Sequence, residues 1–196
     1  ILRNPIERAL SHYNFVSHFP NRGGLPPTFD EAVKDDIRSL TNHGVLRKNQ
    51  TDEEFASFSG SDEESLAWDK YVKRAKQGGV VAKGLYSLQL QMWVDEFNRY
   101  NKSIEDDLLV LRSEEMKEDL QGAYTRAVEF LGLERRITRH EVFDVEHHKT
   151  RYLHTGISDE TYNLLYETFK PYNDRLVKLL GDDWNGVWDD ANIESH

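Results

Sequence analysis

Arg3 and the turn that follows it carry the clearest potential for chemistry in this chain. They lie in the run Leu2-Arg3-Asn4-Pro5-Ile6-Glu7-Arg8-Ala9-Leu10-Ser11-His12-Tyr13. Asn is a good helix N-cap, and Pro suits the first helical position, where its missing N–H would have had no partner and its φ is already helical. A helix starting at Pro5 puts Arg3 at its mouth, where a preceding strand would end. A phosphate held there would meet a guanidinium able to bond two oxygens, free backbone N–H groups and the positive end of the helix dipole. Each charge-assisted hydrogen bond would contribute about 1.5–3 kcal/mol. The alternative is an ordinary capped helix with Arg3 in a salt bridge, because most helix N-termini bind nothing.

The elements that must position these residues are mostly helical. Ile6, Ala9, Leu10 and Tyr13 follow the i, i+3, i+4, i+7 spacing of a buried face and leave Arg8, Ser11, His12 and Phe15 on its flanks. Pro20 to Pro27, with Gly23-Gly24, reads as a loop, and Thr28-Phe29-Asp30-Glu31 opens a second helix with acid in its first turn. Gln50 to Glu64 is rich in Asp, Glu and Ser and is expected to be a mobile polar excursion. Leu66 to Lys76 has the pattern of a short amphipathic helix, and Gly78-Gly79 marks a break after it. No internal repeat or low-complexity tract is present.

Other candidates weigh less. Glu146, His147 and His148 form an acidic-histidine cluster, but adjacent histidines cannot share a helix face and no Cys or partner His stands at ligand spacing, so no metal is expected. His12 adjoins Ser11 and reads better as a structural histidine than as a ligand. Trp184 and Trp188 read as packing residues, with acceptor stacking as the alternative. The basic groups Lys70, Lys73, Arg74, Lys76 and Arg135, Arg136, Arg139 read as solvated helix faces.

The opening run resembles the 3′-phosphate-binding segment of sulfotransferases that use 3′-phosphoadenosine 5′-phosphosulfate (PAPS), particularly the carbohydrate branch with the heparan sulfate enzymes. Further segments agree in order. Gly84-Leu85-Tyr86, followed by Leu88, Leu90, Trp93 and Phe97, resembles the G-x-Y helix, whose apolar side packs beneath the cofactor site. Leu108-Leu109-Val110-Leu111-Arg112-Ser113-Glu114-Glu115 resembles a buried strand and acidic turn. Ala127 to Leu133 resembles the "FLGL" helix end, and Ile157 to Thr161 with Phe169 to Asn173 and Leu176 to Gly181 the C-terminal pattern.

The resemblance implies an α/β, P-loop-like sulfotransferase fold: a mainly parallel central sheet flanked by helices, helix-rich, and one domain over residues 1–196 that is incomplete at its N-terminus. It implies that Arg3 and Ser11 hold the 3′-phosphate of PAPS, with Arg8 supporting the loop. Lys149 and Arg151 stand where the family has a Lys-Gly-Arg phosphate loop. Thr150 replaces the Gly that would allow close backbone approach, and a solvated basic turn is the alternative. The family's Lys-x-Gly-Thr-Thr phosphosulfate loop does not occur in these 196 residues. That loop and the general base are expected upstream of Ile1. The implied activity is sulfuryl transfer from PAPS to a hydroxyl or amine, on a carbohydrate acceptor, in the Golgi lumen. The rival readings are a non-catalytic scaffold or subunit of a larger assembly and, more weakly, a P-loop kinase relative, although no Walker sequence is present.

Composition sets outer bounds. With 38% hydrophobic residues, four Trp, nine Tyr and nine Phe, the chain has the means to build a core despite 31% charged residues. A net charge of −10 argues against nonspecific nucleic-acid binding, whose main affinity comes from neutralising phosphate. The absence of cysteine excludes disulfides and thiol chemistry in the segment, and leaves a cytoplasmic or organellar location open beside the Golgi. No run of about 18 apolar residues marks a membrane span.

Overall fold

The computed structural model describes residues 1–19, 24–74, 79–134 and 156–189. They form two compact units: a smaller one, Ile1–Arg3 with Val94–Arg151, and a larger one, Asn4–Trp93 with Tyr152–His196.

The larger unit is built from helices whose starts are written in the sequence. Helix α1 (Pro5–Ser17) begins where Asn4 and Pro5 predict. Helix α2 (Phe29–Asn42) opens with a capping box in which Thr28 Oγ1 accepts from the Glu31 amide and the Glu31 side chain accepts from the Thr28 amide. The segment expected to be a polar excursion is instead largely helical: α3 spans Asp52–Phe58 and α4 spans Asp62–Arg74. Thr51 and Glu54 form a second capping box, and Ser61 Oγ accepts from the Glu64 amide at 3.2 Å. The acidic residues that suggested a loop are first-turn residues, where the helix dipole favours them. A 3-10 turn (Ala82–Gly84) leads into α5 (Tyr86–Arg99). Helix α9 (Asp159–Leu180) is capped by Ser158 and ends at Gly181, whose φ of 98° is open to glycine.

The core of this unit gathers Ile6, Ala9 and Tyr13 of α1, Val33 and Leu40 of α2, Val80, Val81 and Leu85 around the 3-10 turn, and Leu165, Phe169 and Tyr172 of α9. Gly84 is tight: a Cβ there would lie 2.7 Å from the Phe169 ring and 3.1 Å from Pro5 Cβ. The Gly of the G-x-Y segment is therefore a packing requirement. On α5, Leu88 is buried and Leu90 and Phe97 are half-buried. Trp93, expected on the packed apolar side, is 59% exposed. Trp188 packs on Tyr86 with ring centroids 5.8 Å apart, which agrees with a packing role.

In the smaller unit, Leu2 pairs in parallel with Arg112: the Leu2 amide donates to Leu111 O at 2.8 Å and the Ser113 amide to Leu2 O at 2.7 Å. Leu111 is buried and Leu108 to Val110 are half-buried. This bridge is the only β pairing among the described residues. Short helices α6 (Ile104–Asp107) and α7 (Ser113–Glu118) flank the strand-like segment, followed by α8 (Leu120–Phe130). Glu115 pairs with both Arg112 and Arg126.

Candidate functional site

The N-terminus of α1 is closed by its own cap. Asn4 is buried, and its Oδ1 accepts from the Ile6 amide at 2.9 Å and the Glu7 amide at 3.2 Å, while Asn4 O accepts from the Arg8 amide at 2.9 Å. The free amides expected for a phosphate are therefore already satisfied. Recognition of an anion here falls to side chains. Arg3 lies in the smaller unit, next to the Leu2 bridge, and is half-buried; Ser11 lies in the larger unit, half-buried on α1. Lys149 and Arg151 lie outside the described residues, as do Lys76, Arg135, Arg136, Arg139, Glu146, His147 and His148.

Along one flank of α1, Arg8, Ser11 and His12 fall at i, i+3 and i+4 and so share a face. Arg8 Nη1 donates to Val80 O at 3.4 Å, which ties this flank to the segment before the 3-10 turn. Lys83, from the 3-10 turn, reaches the same flank and places Nζ 3.0 Å from His12 Nε2. An ammonium group only donates, so Nε2 accepts and the ring proton sits on Nδ1. Burial, then Lys83, then Arg8 hold His12 down to about 4, so it is neutral at pH 7. Burial and then Arg8 also depress Lys83, while Asp36 partly restores it.

The turn that carries Lys83 is fixed by a buried carboxylate. Asp36 Oδ2 accepts from the Val81 amide at 2.7 Å and the Ala82 amide at 3.0 Å, and Oδ1 accepts from the Tyr71 hydroxyl at 2.6 Å. Tyr71 in turn accepts from the Gly79 amide at 3.0 Å. Burial first, then the Asp36 charge, raises the Tyr71 phenol well above its ordinary value, so it stays protonated as a donor. A Cβ at Gly79 would lie 1.8 Å from the Asp36 carboxyl, so only glycine lets the chain pass this close. Sequence reasoning missed Lys83 and Asp36. The signal for Lys83 was its place beside the G-x-Y segment; Asp36 looked like an ordinary helix residue.

A second feature lies around α3 and the turn before it. An open groove of about 490 Å³ is lined by Arg47, Asn49, Gln50, Glu54, Ser57 and Phe58 among others. The Arg47 guanidinium lies 3.6 Å from the Phe58 ring centroid and pairs with Glu63 at 2.5 Å. Among the described residues, no group of three or more His, Asp or Glu side chains is placed to hold a metal ion, and no helix is long and apolar enough to cross a membrane.

No curated protein and no solved structure matches the chain. A family model does: the sulfotransferase domain, over residues 1–161. The match takes in the capped start of α1, the Lys83 turn, α5 and the Leu2–Arg112 bridge. The chain thus belongs to the sulfotransferase domain family, whose chemistry is transfer of a sulfuryl group.

Proposed function

We propose that this chain forms the 3′-phosphate-binding portion of a PAPS-dependent sulfotransferase with an α/β, mainly parallel-sheet fold, acting on a carbohydrate hydroxyl or amine. The observation that carries this reading is the cationic flank of α1 around Ser11, inside the segment matched by the sulfotransferase domain. The parallel Leu2–Arg112 bridge supports the sheet. A Golgi-lumen setting belongs to the same reading.

PAPS supplies an activated sulfuryl group, which passes in line to the acceptor oxygen or nitrogen as the bond to the 5′-phosphate breaks and the acceptor proton leaves to a base. The residues of this chain anchor the far end of the nucleotide. Arg3 offers a bidentate guanidinium and Ser11 a hydroxyl donor to the 3′-phosphate, with Lys149 and Arg151 as further contacts. Because Asn4 caps the amides of α1, these side chains do the work. Binding energy gained at this remote phosphate holds the reacting centre in position. The groove lined by Asn49, Gln50 and Glu54 offers amides and a carboxylate, which suit a hydroxyl-rich acceptor.

The test is calorimetric titration with adenosine 3′,5′-bisphosphate. Arg3→Ala and Ser11→Ala should each weaken binding, Arg3→Ala by tenfold or more, equivalent to about 1.4 kcal/mol. Equal affinity of wild type and Arg3→Ala overturns the clamp.

A further inference from the structure

Lys83 is a cation held where charge is costly, with no carboxylate in direct contact among the described residues. It is half-buried, and burial and the Arg8 charge both act against its ionised form. Among the described residues its hydrogen-bond partner is His12, a neutral ring, and no carboxylate lies within 4.0 Å of its Nζ. The acid that acts on it through space, Asp36, already has both oxygens engaged by Tyr71, Val81 and Ala82. A lysine with nothing to bind would snorkel to water at little cost. Here the backbone beneath it is tied down instead. Two amides of the turn are bonded to Asp36, and Gly79 and Gly84 permit close approach on either side. The neutral His12 takes one ammonium proton and leaves the others to point elsewhere. Ser11, on the same flank, adds a hydroxyl donor.

We propose that Lys83, positioned by His12 and the Asp36-bound turn, binds a tetrahedral oxyanion on the Ser11 flank of α1. In the sulfotransferase reading, on which this assignment rests, that anion is the 3′-phosphate of the donor nucleotide. Its arrival supplies the missing negative charge, so a cation that costs energy in the free protein becomes a charge-assisted donor in the complex. A sulfate group on the acceptor offers the same tetrahedral chemistry from another source, and the probes below separate the two.

The experiment titrates the intact chain with adenosine 3′,5′-bisphosphate, with adenosine 5′-phosphate and with inorganic sulfate, in wild type, Lys83→Met and Lys83→Arg. Met keeps the apolar stem and removes the charge; Arg restores the charge. Lys83→Met should weaken the 3′,5′-bisphosphate at least fivefold and leave adenosine 5′-phosphate within twofold, and Lys83→Arg should recover most of the loss. A merely structural role would weaken both nucleotides together, and that result overturns the proposal. So does unchanged bisphosphate affinity in Lys83→Met while Arg3→Ala still weakens it, a result that leaves the cofactor reading standing. If wild type binds neither nucleotide, the cofactor reading fails and the anion site is judged on sulfate alone. A saturable shift of the His12 ring proton resonance, lost in Lys83→Met, retains the site, and no shift removes it.

Discussion

Two places in the larger unit withdraw a cation from water, and they are handled in opposite ways. Arg175 of α9 donates from Nη1 to both oxygens of Glu64 at 2.7 and 2.8 Å, with Gln91 Oε1 at 3.4 Å from Nη2, and the two charged side chains are only 7% and 4% exposed. Glu64 also accepts from the Gly60 amide at 2.7 Å. Nearly every polar group in that pair is used within the fold. Lys83 has instead a neutral histidine and a carboxylate already engaged elsewhere. The first arrangement locks α4 to α9. The second leaves charge in hand for a ligand, which is what a protein does when it gives up stability for binding.

That contrast breaks first at Glu64. Glu64→Gln leaves Arg175 buried beside a neutral amide and should cost about 3–5 kcal/mol, the price of an uncompensated buried charge. A lowered urea midpoint with an unchanged slope measures it. At the other site Gly79→Ala forces a Cβ into the Asp36 carboxyl, and overpacking of this kind should cost about 1–3 kcal/mol. It should also weaken adenosine 3′,5′-bisphosphate, because the turn carrying Lys83 must shift. Loss of stability with unchanged binding would separate Asp36 from the site.

The pH dependence sharpens the comparison further. Folding lowers His12 from 6.5 to about 4, so between those values the unfolded chain binds more protons than the folded one. Stability therefore rises as pH increases from about 4 to 6.5 and is level above it. The full shift would correspond to roughly 3 kcal/mol; because His12 is only half-buried, solvent screening reduces this to about 1–2 kcal/mol. In Lys83→Met, which removes one of the two positive charges acting on the ring, the His12 midpoint measured by NMR should move up toward 6.5. The same variant should unfold at an equal or slightly higher temperature than wild type, the reverse of Glu64→Gln. A marked destabilisation would mean that Lys83 is structural. The smallest effect belongs to the exposed Lys34–Glu160 pair at 2.9 Å, where Lys34→Ala should leave the melting temperature unchanged within error.

How much of this was legible follows from range along the chain. Asn4 and Pro5 announce α1, and Thr28 with Glu31 announce α2, because caps act over three or four residues. Thr51 with Glu54 carries the same local signal for α3, and the density of acidic residues masked it. The cap that revealed α1 also closes its amides, a consequence of the same Asn4 side chain that the phosphate reading did not carry through. Trp93 fits the apolar spacing of α5 yet stands in solvent, since periodicity marks a stripe and not what covers it. Lys83 and His12 are 71 residues apart, Asp36 and Ala82 are 46 apart, and only tertiary packing brings such groups together. The sulfotransferase family was readable from ordered motifs even though the described β pairing is a single bridge.

The central claim is that α1 and the Lys83 turn receive the 3′-phosphate of an adenine nucleotide. Phosphorus NMR of adenosine 3′,5′-bisphosphate resolves its two phosphates in one spectrum. The account predicts that wild type shifts and broadens the 3′ resonance saturably, and that Arg3→Ala and Lys83→Met each reduce this 3′ response by more than the 5′ response. A 3′ resonance unmoved by wild type, or one that responds in Arg3→Ala and Lys83→Met as strongly as in wild type, would contradict it.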